Sequence, residues 1–131
     1  MTRNIRELVP KFSAGAAVRT PATVLKEFGD ALSENTNYRI KGKVVTTSIG
    51  TGDMVHIFAV NVPAMDFLYE VFAASHSPVE LYPLKLYGNL LRQEVSVASE
   101  EELVQQVGAV FQSDAFKNLI SSLLAQSATS M

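Results

Sequence analysis

The sequence contains no cysteine. That removes disulfides, thiol nucleophiles and cysteine-ligated zinc or iron–sulfur centres. Charge is scarce too: 18% of the 131 residues are Asp, Glu, Lys or Arg, against about 25% in a typical soluble chain. No apolar run approaches the roughly 18 residues of a membrane-spanning helix. The segment from Met1 to Leu8 has neither a long apolar core nor a small-residue cleavage site, so no signal peptide is expected and a cytoplasmic protein is the simplest reading. A net charge of −2 and a pI near 5.6 argue against a dedicated nucleic-acid binder. The two histidines are far apart and the carboxylates scattered. They match no first-row ligand spacing and no calcium loop, so neither a metal nor a cofactor is expected.

What the chain does have is apolar content, 47% of its residues. That excludes a disordered chain, and the length suits one domain. Three segments are expected: an arm or short helix over 1–19, a single α+β domain over 20–127, and a frayed tail over 128–131. Charge is placed unevenly. Residues 1–43 hold eight Lys/Arg and four Asp/Glu; residues 44–131 hold three and nine. Such asymmetry can complement itself within a fold or between subunits.

Local patterns give the elements. Ile5, Leu8, Val9 and Phe12 share one helical face, although Pro10 conflicts with a continuous helix. The stretch from Ser13 to Ala17 reads as a flexible connection. Thr20-Pro21 is a helix start, with Val24, Leu25, Phe28 and Leu32 as the buried stripe. Tyr38 to Thr47 alternates as a half-buried strand. A glycine turn around Gly50 and Gly52 leads to a returning strand, Met54 to Val62. Pro63 opens an expected helix carrying Met65, Leu68, Tyr69 and Phe72 at helical spacing. Leu81–Tyr87 and Leu91–Ala98 read as a second hairpin, Pro83 placing the first strand at an edge or bulge. Ser99 and Glu102 have capping-box spacing before a helix, and Ser113-Asp114 marks a second cap or a kink. The expected fold class is α+β. A mainly antiparallel four-stranded sheet of two hairpins carries packed helices, in the order α-β-β-α-β-β-α-α.

The candidate sites follow. Gly50-Thr-Gly52 precedes a strand and lacks the third glycine of a dinucleotide loop, so it is a turn. His56 is expected to be an ordinary strand residue. His76, flanked by Ser75 and Ser77, is placed in a loop after the expected middle helix. With Asp66 or Glu70 it offers a small-ligand or hydrolytic pocket, with Tyr69 and Tyr82 as candidate lining. No Gly-x-Ser-x-Gly elbow accompanies it. Arg39, Lys41 and Lys43 project from one strand face and could meet an anionic partner, but Tyr38 points away from them, which disfavours base stacking. The most informative segment is the last. From Leu103 to Met131 only Asp114 and Lys117 are charged. Helices that merely cover a sheet should carry a charged outer face. The expected interface is therefore Phe111, Phe116, Ile120, Leu123 and Leu124, packed on the sheet and against a second copy or a protein partner.

In size, acidity and the order of helices around two groups of strands, the layout resembles the dimeric chaperones of bacterial type III secretion. It departs from them in its extra N-terminal arm and in having two strands, not three, before the expected middle helix. The expected function is a small, non-enzymatic protein-binding or assembly domain, adaptor- or chaperone-like, and a homodimer.

Overall fold

A computed structural model describes residues 5–12 and 19–129 of the chain. The connection expected over Ser13–Ala17 and the last two residues of the expected tail lie outside that range. The described residues form an α+β fold around one antiparallel sheet of five strands in the order β1-β2-β3-β4-β5. A single turn, α1 (Ile5–Leu8), stands first, its residues all exposed. Then come α2 (Pro21–Asn35), β1 (Lys41–Ser48), β2 (Met54–Val62), β3 (Phe67–His76), β4 (Leu84–Tyr87), β5 (Val95–Val97), α3 (Glu100–Gln112) and α4 (Asp114–Thr129).

The helix expected after Pro63 is not there. Pro63–Met65 makes only a short 3-10 turn, closed by Asp66 at φ 49°. The chain then returns as β3, opposite β2. The sheet therefore has five strands instead of four, and a meander replaces the two hairpins joined by a helix. This uninterrupted run of strands also departs from the secretion-chaperone layout. The cause of the misreading is local. Phe58 pairs with Phe72 and Ala59 with Glu70, which leaves Val71 as an extra residue in β3. A bulge of this kind flips the inward parity midway through a strand. Phe67 and Tyr69 lie on the helix side of the sheet below the bulge, Phe67 at its exposed end; Phe72, Ala74 and His76 lie on that side above it. The result imitates the spacing of a helix.

Helix α2 docks on the sheet through missing side chains. A Cβ on Gly42 of β1 would lie 2.3 Å from the Cα of Gly29. Only two facing glycines allow helix and strand backbones so close. Ser33 Oγ donates to the Gly29 carbonyl (2.9 Å) and accepts from the Gly42 amide (3.1 Å). Buried Thr36 ties the exit of α2, its hydroxyl 3.0 Å from the Leu32 carbonyl and 2.9 Å from that of Ile40, while the Ile40 amide reaches it at 3.2 Å. At the other end Thr20 caps the Thr23 amide and Pro21 opens the helix.

Ser99 caps α3 by accepting from the Glu102 amide, and the Glu102 carboxylate reaches back past the cap to accept from the Ala98 amide, a variant of the capping box. Ser113 separates α3 from α4 and caps α4 by accepting from the Phe116 amide. The stripes of α2, α3 and α4 meet one face of the sheet. Val24, Leu25, Leu103, Val107, Phe116 and Leu123 pack with Phe58, Val60, Val62, Phe72, Leu84, Leu86 and Val97 into one core.

Candidate functional site

Because all three long helices lie on one side, the other side of the sheet has no helix over it among the described residues. Residues opposed across an antiparallel ladder share a face, so the registers define rows across this open side. One row is apolar over four strands: Val45, Ile57, Ala73 and Tyr87. Next to it run Lys43, Ala59 and Glu70, and beyond them Lys41, Asn61 and Leu68. On the far side run Thr47, Val55, Ser75, Lys85 and Ser96. Val45 is 50% exposed, Leu68 55% and Tyr87 36%. A shallow hollow of about 170 Å³ opens over the row, with Ile57, Glu70, Ala73 and Tyr87 among its walls.

Charge is polarised across this face. Lys41 and Lys43 stand on the edge strand β1, and Glu70 stands two strands away on β3. None of the three takes part in an ion pair among the described residues, whereas Lys85 lies 3.9 Å from Glu94. Arg39 is not on the strand. It sits with Tyr38 in the turn before β1, where Asn37 and Tyr38 adopt φ 53° and 62°. The expected basic face therefore reduces to Lys41 and Lys43.

The two histidines, far apart in sequence, come together at the end of the core face. His76 ends β3 and is buried, not placed in a loop. Its Nδ1 lies 2.8 Å from the Ser77 carbonyl, and its Nε2 lies 2.8 Å from Nε2 of buried His56. His56 Nδ1 lies 2.9 Å from the Thr46 hydroxyl. A carbonyl only accepts, so Nδ1 of His76 carries a proton, and in the neutral ring Nε2 is then the acceptor. His56 then donates from Nε2 and accepts the Thr46 O–H at Nδ1. With both rings neutral, every nitrogen has a partner. The pKa of His56 is held below its ordinary value by burial first, then by the neighbouring His76 and by Lys26 on α2.

This chain of bonds leaves neither ring a spare lone pair for a substrate. The carboxylates expected beside His76 lie elsewhere. Asp66 is at the opposite end of β3, on the order of 30 Å away along an extended strand, and Glu70 lies on the open face. The concavity that includes His76, about 510 Å³, is lined by Asp53, Glu80, Lys85 and Glu94 but by neither Tyr69 nor Tyr82. Tyr69 and Tyr82 pack against the core instead, and burial pushes the Tyr82 hydroxyl up. Among the described residues no group of three or more His, Asp or Glu could hold a metal ion.

The residues expected as an interface divide in two. Phe116 and Leu123 are buried in the chain's own core. Phe111, Ile120 and Leu124 are half-buried against it. Phe111 stacks on Phe116 at 4.4 Å between ring centres and meets Phe28 and Phe58. Phe111, Phe116 and Ile120 line a hollow of about 410 Å³ with Leu32 and Lys117. The outward positions of α4 carry Ala, Ser, Thr, Asn and Gln, with Asp114 and Lys117 the charged exceptions. Among the described residues no helix is long and apolar enough to cross a membrane.

The open-face row went unpredicted, yet one signal for it is in the sequence. A strand with one face in water should alternate, but Val55-His56-Ile57-Phe58-Ala59-Val60 is apolar at nearly every position. Comparison with known proteins found no family model, no curated protein and no solved structure that matches the chain.

Proposed function

We propose that this chain is a small, non-enzymatic protein-binding or assembly module, and that the open face of its sheet is the docking surface. The single observation that carries this reading is the apolar row Val45–Ile57–Ala73–Tyr87, laid across four strands with no helix of the described residues over it. A contiguous apolar patch bordered by charge marks an interaction site more often than a solvent face. The closed hydrogen-bond chain at His56 and His76 supports the absence of a hydrolytic role. The test is solution mass by light scattering over a tenfold range of concentration. The proposal expects association above 14.3 kDa, or capture of a protein partner, and loss of either in Val45→Asp with the unfolding midpoint retained. Association untouched by Val45→Asp would overturn it.

A second surface on α3 and α4 is favoured by the hollow beside Phe111 and Ile120 and by the charge-poor outer side of α4. There Phe111, Ile120 and Leu124 would meet a partner, while Phe116 and Leu123 hold the helices to the sheet. Ile120→Asp weakening association more than Val45→Asp would give this surface priority.

A further inference from the structure

We infer that the occupant of the open face is a second copy of this chain, packed sheet to sheet about a twofold axis that runs along β2. The inference rests on the reading of that face as a docking surface and adds the partner and its geometry.

Consider what such an axis does to the rows. An axis parallel to the strands leaves each row at its own height and reverses strand order, so β1 of one copy lies over β3 of the other. Lys43 then faces Glu70 of the second copy, and Glu70 faces its Lys43. Two unpaired opposite charges become two identical cross-pairs. Val45 moves over the second copy's Ala73, into the hollow walled by Ile57, Glu70, Ala73 and Tyr87. Along the axis Ile57, half-buried in the single chain, faces its own copy, while Ala59 beside it is already covered by its neighbours. Lys41 lays its aliphatic stem over Leu68. Strands in the two sheets stay nearly aligned, which is the ordinary packing of a β-sandwich.

Charge selects this axis over the alternative. An axis in the same plane but perpendicular to the strands would stack β1 on β1. The lysines of both copies would then crowd one side, and both Glu70 carboxylates the other. Like charges set together in this way disfavour an assembly. A heterologous partner would need no such internal match between Lys43 and Glu70. The overlapping area is on the order of 400 Å² in plan before side-chain relief is counted, below the roughly 800 Å² per partner of a standard interface. Association should therefore be reversible and dependent on concentration.

The experiment is sedimentation velocity on the full chain and on two charge reversals, Lys43→Glu and Glu70→Lys. Each alone replaces both cross-pairs with repulsion and should raise the dissociation constant roughly tenfold. An equimolar mixture of the two should regain wild-type affinity, because each copy then supplies the charge the other lacks. The double reversal should regain it as well. Deleting residues 1–12, whose described members are all exposed, should leave the dissociation constant within about twofold. A mixture no tighter than its components overturns this geometry, and loss of association on that deletion overturns it too. A wild-type chain that stays monomeric at every concentration overturns the second copy as occupant, while capture of another protein lost in Val45→Asp would keep the docking-surface reading. Association indifferent to Val45→Asp sinks both.

Discussion

The two faces of this one sheet are built from adjacent residues and have different fates. Phe58 points to the helices and is fully buried, while Ile57 beside it points to the uncovered side and is only half-buried. On the helix side, stripes from α2, α3 and α4 fill the space between elements, and aromatic rings meet at 4.4 to 5.6 Å. On the open side the same strands show an apolar row with charge beside it; Val55, Ala59 and Ala73 are covered by neighbouring side chains, Val45 and Tyr87 stay exposed, and among the described residues no helix lies on top. The difference teaches that apolar character in a strand is not by itself evidence of a core. What separates the two faces is whether the chain supplies a cover.

That contrast can be broken or sharpened by substitution. The largest effect should come from Phe58→Ala, which removes a buried ring and leaves a cavity; about 3–5 kcal/mol of stability should be lost in denaturant unfolding. Gly42→Ala attacks the contact that seats α2. Its Cβ would fall 2.3 Å from the Gly29 Cα, and relief by backbone movement should cost about 1–3 kcal/mol by the same measurement. Thr36→Val strips the buried hydroxyl that bonds both the amide and the carbonyl of Ile40, at about 1–3 kcal/mol.

The histidine pair gives a pH test on the covered face. His56 has a lowered folded pKa against an unfolded value of 6.5. The folded state thus binds fewer protons than the unfolded chain once the pH falls below that value. The stabilising contribution of neutral His56 is present above pH 6.5 and is lost as the pH drops through the folded pKa. His76 and then Lys26 add to the penalty that burial places on protonation; Asp53 and Glu80 are carboxylates on the concavity shared with His76. Urea midpoints should fall between pH 7.5 and pH 5 more steeply for the wild type than for His56→Gln. Equal slopes would remove the pair from the account. The smallest effect belongs to the open side: Val45→Thr should change single-chain stability by no more than about 0.5 kcal/mol while weakening association.

Legibility in the sequence followed the same divide. Caps and stripes were readable because each depends on neighbours within one turn: Thr20 with Pro21, Ser99 with Glu102, Ser113, and the run Val24, Leu25, Phe28, Leu32. β3 was not readable. The bulge at Val71 shifts its alternation, and Pro63 before Met65 imitates a helix start. Long-range features were out of reach for a different reason. The meeting of His56 with His76, and of Lys43, Ala59 and Glu70 in one row, depends on register between strands, which no local pattern reports. Phe116 and Leu123 read correctly as apolar anchors, but spacing alone does not say whether an anchor holds the chain itself or a partner.

The most direct measurement is hydroxyl-radical footprinting across a concentration series, read residue by residue. The account predicts that Val45, Leu68 and Tyr87 lose reactivity together as the chain associates. Val104, 40% exposed on α3 and so on the helix side of the sheet, should stay reactive throughout. Protection centred on Val104 and Ile120, with Val45 and Tyr87 unchanged, would contradict it.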